Sequence, residues 1–538
     1  MPRTRKAALI GAFLVPIVAG GFLLQARAER DGGALLQQVM TLVSDRYVDT
    51  IPTSDVYEKA ARGLVKELND PYSELLTPRD VKQFNSRTGG RYGGLGMLIE
   101  EDLQTHVMRV VTVYPNTPAE NGGVREGDLI ARVDSLSTRG WTINQVSDSL
   151  TGTPGTRVHV TFARPGVASP IDATFTRAVI HIPAVPYTLT LGNNVAYLPL
   201  QQFNENAADN VAAAVKRFEN QHARGIIIDM RGDPGGILDQ SLDVANMFLQ
   251  QGALIASVKG REGPSQIESA KSTPIAPSIP IIVLTDERTA SAAEIVAGAL
   301  QDHDRALVVG TTSFGKGLVQ GVFSLDGGYA LKLTTGKWFT PSGRSIQRPR
   351  KFVNGQFVED TPDTTETNAT KRNRPAYKSD AGRTVYGGGG ITPDVIVQED
   401  TLTTPEQTFV KAVAPKGQDF FTVRDDYSRE LSKSVAPTFT IQPSWLDEFY
   451  NRLQAKGVTV DRKSYDAANR YVGRLLEQRV AHYAFGDSTA KRRDLPFDSP
   501  LRKAIDLLDK SGSQRELFAV AGETLAGANG IPTQAKKP

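Results

Sequence analysis

The chain has no cysteine among its 538 residues. That excludes disulfide staples, thiolate zinc sites and a cysteine nucleophile, and it is compatible with an oxidising compartment. Charge of one sign is also missing. There are 62 Lys and Arg against 59 Asp and Glu, a formal net charge of +3, so composition gives no reason to expect a nucleic-acid partner. Histidine is scarce. His106, His159, His181, His222, His303 and His482 form no H-E-x-x-H or other metal-ligand spacing, so no metal is expected. No internal repeat is visible. Apolar content of 40% and charged content of 22% are ordinary for a globular protein, and the length requires several domains.

One long hydrophobic run is present. Arg3, Arg5 and Lys6 precede the uncharged stretch Ala7 to Leu24, and Ala26-Arg27-Ala28 follows as a small-residue site. This order reads as a secretory signal, cleaved, or as a retained membrane anchor, over residues 1–28. The basic flank places the rest of the chain outside the cytoplasm in either case, in the cell envelope.

Residues 31–88 read as amphipathic helices, with Leu35, Leu36, Val39, Met40 and Val43 on one stripe. "LNDPYSELLTP" at 68–78 breaks the pattern. Residues 90–170 change to a glycine-rich start and short alternating strands, "HVMRVVTVY", "DLIARVD" and "RVHVTFAR". Gly94-Leu95-Gly96-Met97, Ala119, Gly122-Gly123-Val124 and Gly127-Asp128-Leu129-Ile130 together resemble a PDZ domain. Its glycine loop turns backbone amides toward a chain-terminal carboxylate, beside a strand edge that accepts a peptide.

From 175 to 400, strands such as "GIIIDM" and "PIIVLT" alternate with helices, a βαβ series with a mainly parallel sheet. Residues 348–387 are polar and read as a surface insertion. Residues 401–525 are helical again, and 526–538 read as a disordered tail.

The chemistry rests on three segments. In "RTASAAEIVAGAL", Ser291 and Glu294 fit the S-x-x-E capping box, so the serine can simply start a helix. "GDPGG" at 232–236 has Pro234 where a chymotrypsin-type serine would stand, and His181 has no suitably flanked Asp, so a Ser-His-Asp site has little support. Without histidine, a serine needs another base. A lysine serves if desolvation or neighbouring charge lowers its pKa. "TSFGKGLVQ" offers Lys316; on a strand, Lys316, Leu318 and Gln320 share a face, and Gln320 can hold the amine without stabilising its charge. Backbone amides at Gly235, Gly236 and Ala292, at helix starts, are candidates for an oxyanion hole.

"IIIDMRGDPGGIL", "RTASAAEIVAGALQD" and "VVGTTSFGKGLVQ", in this order after a PDZ-like region, resemble the C-terminal processing (tail-specific) peptidases, a Ser-Lys family. "LNDPYSELLTP", "LKLTTGKWFTPSGRSIQ" and "GGITPDVIV" extend the resemblance over about 35–400. It implies a multidomain α/β fold: a crotonase-like βαβ peptidase core with an inserted PDZ domain and flanking helical regions. It also implies Ser291 as nucleophile, Lys316 as general base, Gln320 as its orienting residue, and Gly235 or Gly236 with Ala292 as oxyanion donors. Gly94, Leu95, Gly96 and Met97 would receive the substrate's C-terminus. The expected substrates are proteins with apolar C-termini, no cofactor is needed, and a homodimer and an activating partner are expected. Asp233 departs from the family, which often has Asn there. A carboxylate at that point would repel an oxyanion or hold Lys316 as a cation.

Overall fold

The computed structural model describes residues 33–102, 107–164, 167–353, 356–359 and 366–528. The signal or anchor at 1–28 and the tail from 529 onward lie outside the described residues. Residues 526–528, read as tail, continue the helix Gln514–Ala528. Among the described residues no helix is long and apolar enough to cross a membrane. The chain divides into two compact units, Met1–Val81 with Gln320–Thr334 and Phe352–Phe357, and the remainder.

In the smaller unit, residues 33–46 and Thr53–Lys66 are helical. The apolar stripe on the first helix is present but mostly uncovered: Leu35 is 63% exposed and Leu42 60%, while Met40 is buried. Asn69 then turns the chain at φ 53°, and Glu74–Leu76 pairs antiparallel with Ala330, Leu331 and Lys332. Asp70 anchors that turn, accepting from Ser73 Oγ at 2.6 Å and Thr334 Oγ1 at 2.5 Å.

The larger unit is built on a six-stranded sheet in the order Leu189–Leu191, Val195–Pro199, Gly225–Asp229, Ile281–Thr285, Leu307–Gly310, Val395–Ile396. The first pair is antiparallel and the rest are parallel. Every residue of Gly225–Asp229 and Ile281–Thr285 is buried, as expected for strands covered on both faces. One face carries Ala207–Asn220, Leu238–Asn246 and Ala292–Asp302, packed through Val211, Val244 and Val296. The other face is closed by Ser499–Asp509 and Gln514–Ala528, whose Leu501, Leu508 and Leu517 lie on Ile227, Ile282 and Leu284. Gly225 allows the closest approach, since a Cβ there would stand 2.6 Å from Leu508 Cδ2. The last two helices, expected in a separate C-terminal helical region, therefore belong to the core of this sheet. The helices before them gather around Phe409, Phe420, Phe449 and Tyr465.

The glycine-rich region forms an antiparallel sheet of Met97–Asp102, Val107–Val113, Leu129–Val133, Arg157–Ala163 and Ile171–Thr176. The helix Ile143–Leu150 packs on it through Val146 and Leu150. Thr142 and Gln145 cap this helix reciprocally.

The insertion expected at the surface is mostly exposed from Glu366 onward, with a few residues turned inward. Glu366, Lys371, Ser379 and Val385 are buried. Several of its charges have specific partners: Arg383 bonds Asp304 and Asp394, Arg374 pairs with Glu366, and Lys371 donates to the Pro393 and Asp394 carbonyls. Polar composition did not show which side chains turn inward.

Candidate active site

Three loops leave the carboxyl ends of neighbouring parallel strands, where open α/β sheets hold their ligands. They are residues 230–237, 286–291 and 311–317. Asp286 Oδ1 accepts from the Gly232 amide at 2.9 Å and the Thr289 amide at 3.0 Å. The Ala290 amide reaches the Asp233 carbonyl, and the Phe314 amide the Thr289 carbonyl, each at 2.9 Å. The loops form one hydrogen-bonded body.

Ser291 stands just before Ala292–Asp302 with φ 56° and ψ −114°. A non-glycine residue in such a region stores about 1–3 kcal/mol, and such strain clusters at functional sites. The capping box expected from sequence is formed at its carboxylate, with Glu294 Oε2 accepting from the Ser291 amide at 2.8 Å. The Glu294 and Ile295 amides reach the Ser291 carbonyl at 2.9 and 3.1 Å, so the helix start does not depend on the hydroxyl.

Glu294 does more than cap. It is fully buried, and both of its oxygens are engaged. Oε1 accepts from Ser313 Oγ at 2.5 Å and the Gly315 amide at 2.7 Å; Oε2 accepts from the Ser291 amide and, at 2.9 Å, the Lys316 amide. Burial raises its pKa while these donors oppose the rise. One carboxylate oxygen thus holds the backbones of Ser291 and Lys316 together. Sequence reading saw only the S-x-x-E half of this arrangement. Its partners in the 313–316 loop give no local signal.

Lys316 is not on a strand. The strand begins at Leu318, and Lys316 lies in the loop before it. The period-two face with Leu318 and Gln320 is corrected for a physical reason. The Lys316 amide goes to Glu294, the Gly317 amide to Gln347 Oε1 at 3.0 Å, and the Lys316 carbonyl to Trp338 Nε1 at 3.1 Å. The Lys316 amide and carbonyl both go to side chains; the first strand-like bond is the Gly317 carbonyl accepting from the Trp338 amide at 3.0 Å. Gln320 lies in the smaller unit, where its side-chain amide donates to Thr334 Oγ1 at 3.4 Å.

The glycine loop meets the serine. Gly235 has φ 91°, and a Cβ on it would lie 2.6 Å from the Ala290 carbonyl, 2.8 Å from the Ala292 nitrogen and 2.9 Å from Ser291 Cβ. The Gly235 amide itself donates to Asp233 Oδ1 at 2.7 Å. Asp233 is fully buried, and its Oδ2 has no hydrogen-bond partner among the described residues. Burial raises its pKa well above its ordinary value of 3.8, against the one Gly235 hydrogen bond that favours the charged form. The raised pKa weakens the expectation that this carboxyl repels an oxyanion or holds Lys316 as a cation.

Arg231 anchors the same loop. Its guanidinium grips Asp229 at 2.9 and 2.6 Å and Asp498 at 2.9 and 2.8 Å. Asp498 caps Ser499–Asp509, so the second-face helix is tied to the site by an ion pair.

Leu95, Gly96 and Met97 line a separate cavity of about 500 Å³, between the strand Met97–Asp102 and the helix Ile143–Leu150. Gly94 is buried beneath the ring of Tyr92.

A model of peptidase family S41 matches residues 194–352, and a PDZ-domain model matches 109–164. The chain is 36% identical over 319 residues to a carboxy-terminal-processing protease of Bartonella bacilliformis, covering 59% of this chain and 71% of that one. The chain belongs to peptidase family S41. A carboxyl-terminal-processing protease of Picosynechococcus is 31% identical over 363 residues, 64% of this S41 chain and 87% of its relative. Among solved structures, a photosystem II D1 C-terminal processing protease is 28% identical with a TM-score of 0.34, over 60% of this chain and 84% of that one. This S41 member is a C-terminal processing serine peptidase with a PDZ domain.

Proposed function

We propose that this peptidase cleaves with a Ser-Lys site in which Ser291 attacks the scissile carbonyl and neutral Lys316 takes its proton. The lysinium then protonates the leaving amine, and the same lysine activates the water that hydrolyses the acyl-enzyme. The observation that carries this reading is the single Glu294 oxygen shared by the Ser291 and Lys316 amides. The strained φ of Ser291 supports it. So do the histidines: His159, His303 and His482 are engaged with Asp172, Asp380 and the Glu126–Asp487 pair.

Ala292 and Gly236 supply oxyanion amides; Gly235, its own amide bound to Asp233, supplies the close approach. The PDZ loop at Gly94 to Met97 receives apolar protein C-termini. The enzyme works in the cell envelope, exported or anchored by residues 1–28, and self-associates through the exposed Leu35–Leu42 stripe; an activating partner governs it.

The test is cleavage of an unfolded protein with an apolar C-terminus by chain starting at Glu29, across about pH 6 to 10, which brackets the histidine and lysine reference values. Wild-type activity should rise with pH and vanish in Ser291→Ala and Lys316→Ala. A profile following a group near pH 6.5 would point to histidine instead.

A further inference from the structure

Another cavity, of about 200 Å³, lies away from both glycine loops and is lined in part by Gln301 and Leu307. Gln301 is in the last turn of the helix that Ser291 begins, and Leu307 opens the strand whose far end leads to Lys316. The cavity therefore sits at the far ends of the two elements that carry the proposed nucleophile and base. Val385 and, from the helix Gln514–Ala528, Phe518 and Ala521 give it an apolar wall.

Its polar lining is unbalanced. The one carboxylate there, Asp394, is already engaged, Oδ1 accepting from Arg383 and Oδ2 from the Val308 amide at 2.8 Å. Arg383 is used by Asp304, Asp394 and the Gln301 carbonyl, and the Gln301 side chain by Arg344 and the Thr392 carbonyl. Asn368 exchanges both of its bonds with the Ile396 backbone.

The groups left over can all donate. Lys371 is buried and gives two of its three N–H groups to the Pro393 and Asp394 carbonyls. Burial draws its pKa down to about 8; Asp394 and Glu366 oppose the fall but are bonded to Arg383 and Arg374. The Thr392 hydroxyl is buried with no hydrogen-bond partner among the described residues. Arg372 lines the cavity and is exposed. Burying an ammonium and a hydroxyl without enough acceptors is unfavourable, and an anion supplies the acceptors.

We infer that this cavity binds a small organic carboxylate, its oxygens accepting from Lys371, Arg372 and Thr392 and its apolar group lying against Phe518 and Ala521. A cavity of about 150 Å³ holds benzene, so there is room for a short branched acid. Inorganic phosphate would meet the same donors but leave the apolar wall without a partner.

The experiment is calorimetric titration of the full chain with 4-methylpentanoate, with 4-methylpentanamide and with inorganic phosphate. The acid should bind about tenfold more tightly than either of the others, since the amide lacks the charge and phosphate the apolar group. Arg372→Gln, a surface change, and Thr392→Val, which keeps the shape, should each weaken the acid about five- to tenfold while the melting temperature is kept. Lys371→Met should remove binding. Gly96→Ala should leave it unaltered, which separates this cavity from the PDZ groove. Full affinity for the acid in both Arg372→Gln and Thr392→Val, or loss of it in Gly96→Ala, would place the acid elsewhere and overturn the inference. Equal binding of acid and amide, tighter binding of phosphate, or no binding of the acid would overturn it as well.

Discussion

Two glycine loops in this chain, one at the proposed oxyanion site and one at the proposed C-terminus groove, are supported in opposite ways. The Gly235–Gly236 loop is fixed by buried acids. Asp233 takes the Gly235 amide, Asp286 takes Gly232, and Glu294 fastens the facing serine and lysine loops. The Gly96 loop is fixed on its carbonyl side by the Ala119 and Tyr114 amides, and it lines an open cavity. Stabilising a developing oxyanion requires donors that do not reorganise. Receiving a chain end requires donors that line an open groove. The difference in support matches the difference in task.

The largest way to break the comparison is Glu294→Gln. Its amide nitrogen would face two N–H donors in place of an acceptor, and unsatisfied buried groups cost about 1–3 kcal/mol each. Peptidase kcat/KM should fall by on the order of a hundredfold, with a lower melting temperature, while peptide binding at the PDZ groove stays unchanged.

Gly235→Ala and Gly96→Ala form the next pair. Both glycines have positive φ, 91° and 87°, and a Cβ at Gly96 would lie 2.3 Å from Thr117 Cβ. Strain of this kind is worth about 1–3 kcal/mol. Gly235→Ala should abolish cleavage and spare peptide binding. Gly96→Ala should abolish peptide binding and spare modification of the serine by a small fluorophosphonate.

Asp233→Asn sharpens the comparison through pH. Burial raises the folded-state pKa of Asp233 above its ordinary 3.8. The stability this proton contributes is complete below 3.8 and is lost as pH rises toward the folded value. Asparagine carries no such dependence. Asp233→Asn should retain cleavage and melt higher than wild type at pH 7 to 8, and the gain should disappear near pH 4, as followed by scanning calorimetry.

The smallest effect lies away from both loops. Hydrogen bonds from His482 to Asp487 and Glu126 raise its pKa from 6.5 to about 9. Its contribution is complete below pH 6.5 and is lost as pH rises through about 9. His482→Gln should reduce the loss of melting temperature between pH 7 and 9 without altering either loop's function.

Ser291, Lys316 and both glycine loops could be singled out as candidates because each lies in a short motif with local physics: a cap, a glycine turn, a strand end. The sheet was legible from all-apolar strands flanked by amphipathic helices. What could not be read was the closure of those motifs. Ser313, Gly315 and Lys316 reach Glu294 from a different strand end, and Asp498 reaches Arg231 across 267 residues. Alternation of Lys316, Leu318 and Gln320 suggested a strand that backbone bonding denies to the lysine. Charge in 366–387 suggested solvent, and most of the segment meets it, but Arg374 and Arg383 are held by ion pairs. The stripe from Leu35 was legible as a face, and its exposure was not.

The most direct measurement is the rate and position of fluorophosphonate labelling against pH, with mass-spectrometric mapping, in wild type, Lys316→Ala and Glu294→Gln. The account predicts a single label on Ser291 in wild type, at a rate that rises with pH, and slow labelling in both variants. Labelling of Lys316→Ala at the wild-type rate, or a label on another residue, would contradict it.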